Sequence, residues 1–319
     1  MKKSLWRVLL VSAACVGLCA ALMSVSAADP GPETVYTVDE PYEYPVQPGT
    51  DEWKALTSFQ EMIAACHVDE ELLASMTTPA LLETVLNYPL LGSGLLYDTQ
   101  EQWIASVSSY FKGLELLLAR EDASECLAEF VEIQSTARAE LPITIKVNLN
   151  GLEKCLGDDS VAPTDASAQR STTVYLRTPN NSMVEAEYNQ SWADIGATEA
   201  MAREEEALWE SRLSGWTKLA DITPLYNCHS YAWHSASTAN RYWVPRPSQY
   251  MSDGSYTQQS WPLPGYKVHG PIGGHSGIVT TMQGGPYNPL VTSKWGALGL
   301  YSHPQNSSPY PGNVTYWNR

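Results

Sequence analysis

At 319 residues and a formal charge of −16, the chain has room for one large domain or two ordinary ones. Its acidity excludes a nucleic-acid partner, whose phosphates call for Lys/Arg-rich surfaces. The charge is uneven: from Thr223 to Arg319 there are five Lys or Arg and a single acid, Asp253, so two structural units of different composition are expected.

The N-terminus reads as a signal peptide over residues 1–27. Lys2, Lys3 and Arg7 form a positive segment, the run from Val8 to Leu22 is mostly apolar, and Val25-Ser26-Ala27 offers small residues for cleavage. Its removal takes away three positive charges and moves the formal charge to −19. The expectation is a secreted, extracellular protein with no membrane span in the mature chain. Residues 28–50, rich in Pro, Glu and Tyr, read as an extended lead-in.

Residues 51–140 form a predicted helical domain. "DEWKALTSFQEMIAAC" carries an apolar stripe with acids in its first turn, and "TTPALLETVLNYP" has a Thr cap, an early Pro79 and a stop before Pro89. The segments "TQEQWIASVSSYFKGLELLLAR" and "DASECLAEFVEIQ" continue the pattern, which is that of a packed bundle. A mixed connecting region spans 141–222. In it, "LPITIKVNL" reads as a strand, "TVYLRTPNNSMVEAEY" as a hairpin turned at Pro179-Asn180-Asn181, and "ATEAMAREEEALWESRL" as a helix whose Glu204-Glu205-Glu206 run is a solvated face. Of the mature cysteines Cys66, Cys126, Cys155 and Cys228, the first two sit on predicted helices and are candidates for a disulfide.

After Thr223 the texture changes to short strands and turns, with five Trp, ten Tyr and no Phe. Five of the six histidines lie here: His229, His234, His269, His275 and His303. In "PLYNCHSYAWHS", Cys228 stands where a short helix begins, a placement that favours thiolate and offers backbone N–H groups to an oxyanion. "GGHSGIVTT" puts His275 at the mouth of a strand, as a base candidate facing that cysteine. His229 is adjacent to the cysteine and is expected to point elsewhere; His234, His269 and His303 are alternatives. "LVTSKWG" supplies Ser293 to orient the imidazole, ahead of Lys294 and Asn288, with Trp295 as a shield. Tyr226 and Asn227 are candidate oxyanion donors. No metal or other cofactor is expected, because no histidine pair has helical ligand spacing with a carboxylate nearby.

The order helix-Cys228, strand-His275 after glycine, then Ser293 on the next strand resembles the papain-like hydrolases of the NlpC and CHAP types, which are bacterial cell-wall endopeptidases and amidases. "HSGIV" is similar to their His-x-Gly-Ile strand, and "SKWG" resembles papain's Asn-Ser-Trp-Gly, with Ser293 in the place of the orienting asparagine. The chain departs from the pattern in having Asn227-Cys228-His229-Ser230 around the nucleophile and Ile222 at papain's oxyanion spacing. Phrases such as "YPVQPGTDEWKAL", "RTPNNSMVEA" and "YNCHSYAWHSAS" are similar to a group of secreted Gram-positive bacterial proteins to which no activity is attached. The resemblance implies an α+β chain: an N-terminal helical bundle, then a papain-like domain over 223–319 with the cysteine helix packed on an antiparallel sheet. It also implies a thiol hydrolase acting on an amide, with cell-wall peptide as leading substrate. Two other readings stand beside it: an acyl or glutamyl transferase using the same residues, and a non-catalytic, aromatic-rich protein that binds wall peptide or glycan, in which Cys228 is structural or disulfide-bonded.

Overall fold

Side-chain caps fix where four of the helices of the first half begin, while the Thr cap expected ahead of Pro79 makes no side-chain hydrogen bond. The computed structural model describes residues 36–135, 137–156, 171–213, 215–270, 274–283, 285, 287–310 and 313–319. The signal peptide expected at 1–27 lies outside them, as does the start of the lead-in. Thr50 accepts from the Trp53 N–H at the head of α1 (Asp51–Lys54), and Ser58 and Glu61 close a reciprocal capping box on α2 (Phe59–Ala65). Asp69 caps α3 (Glu70–Ser75), and Pro79 lies in the first turn of α4 (Thr78–Leu86). Thr99 caps α5 (Gln100–Ser108), which is followed by α6 (Lys112–Leu118) and α7 (Ala123–Gln134).

The expected strand at "LPITIKVNL" is instead part of α8 (Ile143–Leu156). Its β-branched residues favour a strand only weakly, and burial outweighs that preference. The helix buries Val147, Asn148, Leu149, Gly151 and Leu152. The Asn148 amide accepts from the Gly92 N–H and donates to the carbonyls of Leu86 and Tyr88, bonds that a strand here would break. Gly151 lies so close to Gly92 that an added Cβ would meet its carbonyl oxygen at 2.9 Å.

The hairpin is formed by β1 (Thr172–Arg177) and β2 (Met183–Tyr188), with Asn181 at φ 70° in the turn. Next comes α9 (Glu199–Arg212), where the solvated-face expectation fails for two of the three glutamates. Glu205 is buried and accepts from the Ser93 N–H and hydroxyl, while Glu206 pairs with Lys218 Nζ at 2.6 Å and accepts from the Tyr301 hydroxyl at 2.7 Å. Charge alone could not reveal this, because the partners come from other elements: Ser93 from a loop of the helical half, and Lys218 and Tyr301 from strands.

β3 (Thr217–Ala220) opens a seven-stranded antiparallel sheet with β5 (Thr257–Gln259), β6 (Lys267–His269), β7 (Ser276–Thr281), β8 (Leu290–Lys294), β9 (Leu300–Pro304) and β10 (Thr315–Asn318). The strand order is β3-β9-β8-β7-β6-β10-β5. The short β4 (Tyr242–Trp243) pairs with β2 to complete a separate three-stranded sheet. The chain is therefore α+β, with a helical first half and an antiparallel sheet. From Thr37 to Arg319 it forms one compact unit. One core joins Leu81, Val85, Trp103 and Leu114 of the helices to Trp209 of α9 and to Trp295, Leu298 and Tyr301 of the sheet half.

The expected disulfide is absent: Cys66, Cys126, Cys155 and Cys228 are all free thiols. Cys66 instead packs in the core as a small apolar side chain. Arg212 is equally buried, its guanidinium stacked 4.7 Å over the Trp209 ring and without a hydrogen-bond acceptor among the described residues. Replacing a buried, unpaired cation by an apolar side chain of similar length relieves its desolvation. Arg212→Met is expected to leave the urea midpoint unchanged or raise it; a lowered midpoint would show that the guanidinium has a partner that matters.

Candidate active site

Asn227 builds the backbone around Cys228. Its Oδ1 accepts from the Ser230 and Val244 N–H groups, and its Nδ2 donates to Val244 O at 2.7 Å and to Asp98 Oδ1 at 2.8 Å. This side chain caps a π-helical turn, Ser230–His234, packed against β6, β7 and β8. It also reaches across to a loop of the helical half. That loop is held by Ala297 N–H donating to Leu95 O at 2.9 Å, where Gly296 (φ 50°) lets the two backbones touch.

The result is a cysteine, a histidine and a carboxylate gathered in one triangular cluster. Cys228 Sγ lies 3.7 Å from His229 Nδ1, and His229 Nε2 lies 3.1 Å from Asp98 Oδ2. Asp98 Oδ2 is also 3.9 Å from the sulfur. All three side chains are buried; Cys228 is 3 % exposed. The Ser276 hydroxyl at the start of β7 is the fourth member. Its Oγ accepts from Trp233 Nε1 at 2.8 Å and lies 2.8 Å from His229 Nδ1 and 3.1 Å from His269 Nδ1.

Donor counting gives this network two closed states. With Asp98 ionised, His229 Nε2–H donates to it. Nδ1 is then a lone pair, accepting from Ser276, and His269 Nδ1–H donates to the serine. With Asp98 protonated, its O–H donates to Nε2, His229 Nδ1 carries the hydrogen, and the Ser276 hydroxyl turns to His269. Only the first state leaves a base beside the sulfur. Burial pushes Asp98 up to about 7, opposed by the Asn227 hydrogen bond and by Lys294, so the two states exchange near neutral pH. Burial also holds His229 well below its ordinary value, with His269 adding to the effect.

The resting sulfur is a thiol, where the sequence favoured thiolate. Burial pushes Cys228 well above its ordinary value, and the Asp98 charge raises it further. The N–H groups of Ser276 and His229 oppose this but are outweighed. A five-residue turn also supplies little of the dipole that a longer helix would.

The structure separates the other sequence candidates. His275 has no hydrogen bond to Cys228: its ring stacks on Tyr310, with centroids 3.8 Å apart, and neither nitrogen has a partner among the described residues. Ser293 orients a different histidine, its hydroxyl 2.7 Å from His303 Nε2, and Trp295 Nε1 donates to the same serine at 3.0 Å. Lys294 is buried and donates to the carbonyls of Thr223, Gly296 and Leu298. Tyr226 is buried with its ring 5.2 Å from Lys294 Nζ, and Asn288 Oδ1 accepts from the Asn306 N–H. His234 lies edge-on to Tyr242.

Adjacency to Cys228 argues against His229, because neighbouring side chains usually diverge; here the imidazole bends back toward the sulfur. Asp98 had no distinguishing signal, since an acid ahead of a cap such as Thr99 has an ordinary explanation in the helix dipole.

The donor atoms of Asp98, Cys228 and His229 lie within 4.8 Å of one another, a convergence that also suits a divalent ion with mixed S, N and O ligands. A pocket of about 200 Å³, which Lys154, Gln190 and Trp243 help to line, reaches Asp98. Compared with protein-family models, curated proteins and solved structures, the chain matches none. No helix among the described residues is long and apolar enough to cross a membrane.

Proposed function

We propose that the chain is a thiol hydrolase that cleaves an amide bond, with Cys228 as nucleophile, His229 as base and Asp98 as the group that orients the imidazole. The observation that carries this reading is the Cys228–His229–Asp98 cluster, in which the sulfur is nearest Nδ1 of the imidazole and the carboxylate is nearest Nε2. A papain-like arrangement is supported by the packing of the cysteine turn on an antiparallel sheet, although the base is the neighbour of the cysteine rather than His275 on the strand. The N-terminal segment, read as an export signal, favours cell-wall peptide as the substrate, encountered outside the cell.

The chemistry runs in two balanced halves. His229 Nδ1 takes the thiol proton as Cys228 sulfur bonds to the carbonyl carbon. The C–N bond then breaks and the amine leaves with that proton, giving a thioester. Water adds to the thioester carbon with His229 taking its proton, and the carboxylic acid departs as the proton returns to sulfur. The Asn227 amide is committed to Val244 and Asp98, so oxyanion donation falls to backbone N–H groups.

His229 Nδ1 is unprotonated only when Asp98 is ionised, and the Ser276 hydroxyl must turn from it to His269 before it takes the thiol proton. The rate of Cys228 alkylation by iodoacetamide, followed by peptide mapping, is therefore expected to rise through pH about 7. His229→Ala should remove that inflection and slow the reaction by ~10²-fold or more, the lower end for a lost general base. His275→Ala should keep the inflection. A wild-type profile rising only at the ordinary thiol value, or one abolished by His275→Ala and not by His229→Ala, would reject the assignment. Protection by added Zn²⁺ that a chelator reverses would favour the metal site instead.

A further inference from the structure

Away from the cysteine, the sheet carries a larger cleft of about 890 Å³ over β6, β7 and β10, walled by the loop after β5, by residues 305–310 and by the start of α2. That is within the ~300–1,000 Å³ of ligand sites. In a chain with a formal charge of −16, this cleft has no Asp, Glu, Lys or Arg among its lining residues. Its chemistry is aromatic and amide. Trp261 and Tyr287 stand at its edge, 57 % and 81 % exposed, with ring centroids 6.1 Å apart at 70°. Tyr316, Asn306 and Asn313 also line it. Large aromatics left side by side in water mark an interaction surface.

His275 adds an independent sign of a ligand. It lines the cleft and is 8 % exposed, and neither ring nitrogen has a protein partner among the described residues. Stacking on Tyr310, at 3.8 Å between centroids and 6° between planes, fixes the plane of the imidazole. Burial holds the ring neutral, so it carries one donor and one acceptor and no charge in the cleft wall, with both nitrogens closed to solvent.

From these features we infer that the cleft binds an uncharged oligosaccharide. A pyranose has C–H faces that pack on aromatic rings and a rim of hydroxyls that pair with amides and with an imidazole. An anionic polymer would find no counter-charge in the cleft and would meet an acidic protein, and a cationic one would find no carboxylate among the lining residues. The inference goes beyond the hydrolase reading and does not rest on it, because Cys228 is not among the cleft's lining residues.

Calorimetric titration of the full chain with chitotetraose and with cellotetraose tests this, with tetragalacturonate as the charged counterpart. At least one neutral sugar should bind, with an affinity insensitive to added salt. Trp261→Ala and Tyr287→Ala, both at exposed positions and expected to fold, should each weaken binding by about tenfold or more. His275→Gln, which keeps a donor and an acceptor, should retain more affinity than His275→Leu. Absence of binding by both neutral sugars, tighter binding of tetragalacturonate, or unchanged affinity in the Trp261→Ala/Tyr287→Ala double variant would overturn the inference. Failure of the alkylation test would leave this titration standing, since one reads the reactivity of Cys228 and the other reads sugar affinity at Trp261 and Tyr287.

Discussion

Lowering the pH from 6.5 to 4 should remove about 3 kcal/mol of stability at His303 alone, because burial holds this imidazole down to about 4 in the folded chain. Its Nδ1–H donates to Pro304 O at 2.9 Å and its Nε2 accepts from Ser293 at 2.7 Å, with Trp216 and Trp295 packed around it. A second proton on Nε2 would leave the Ser293 hydroxyl without its acceptor in a site that excludes water. The unfolded chain takes up that proton near 6.5 and the folded chain resists it. The stabilisation is therefore complete above 6.5 and is lost as the pH falls toward 4. His229 and His275 are depressed in the same direction, by burial, and steepen the loss. Asp98 and Glu205 oppose it, since burial raises both carboxyls and their contribution grows as the pH falls. A difference measurement cancels these other groups. Between pH 6.5 and 4, urea unfolding should show the wild type losing about 3 kcal/mol more than His303→Gln, whose Oε1 can still accept from Ser293. Parallel curves for the two proteins would show that His303 is protonated in the fold without penalty.

The elements that sequence exposed are those whose causes are local. Thr50, Ser58, Asp69 and Thr99 announce helix starts through their own side chains, and Asn181 announces the hairpin turn through its tolerance of positive φ. The failures share a non-local cause. The segment from Ile143 to Val147 is helical because Asn148 and Gly151 fit against residues 86–92, about sixty positions away. Glu205 and Glu206 are inside because Ser93, Lys218 and Tyr301 come to meet them. The candidate site divides in the same way. Cys228 stood out from its own neighbourhood, but its carboxylate partner is 130 residues upstream in the helical half. The pairing of Ser293 with His303 depends on β8 lying beside β9, a register in which Ser293 faces Tyr301 and Val291 faces His303. Periodicity can predict a strand but not which histidine the next strand brings alongside.

Lys294→Met should cost about 3 kcal/mol, making it the most damaging substitution among the sequence candidates for the site. The ammonium donates to Gly296 O at 2.9 Å, to Thr223 O at 3.2 Å and to Leu298 O. These carbonyls belong to two stretches that the site needs. Thr223 leads into the segment bearing Cys228 and donates its own N–H to Ala297 O at 3.0 Å; the turn at 296–298 grips Leu95, three residues before Asp98. One cation therefore ties the cysteine segment and the aspartate loop to the same strand end. Two effects compete when it is removed. Methionine relieves the desolvation of a buried charge, and burial indeed holds Lys294 down to about 7. Against that, three buried carbonyls lose their donor, at ~1–3 kcal/mol each, and a thioether cannot replace it. The carbonyls outweigh the relief. The pH dependence separates the two effects. A lysine lowered from 10.5 to about 7 contributes stability that is complete above 10.5 and is eroded as the pH falls to 7. The variant has no such dependence, so its deficit in urea unfolding should be larger at pH 9 than at pH 7. Cys228 alkylation in the folded variant should also lose its inflection near 7, because the aspartate and cysteine segments are no longer held in register. If Lys294→Met matches the wild type at both pH values, the ammonium's desolvation has cancelled its hydrogen bonds, and Gly296 packing alone sets the geometry of the site.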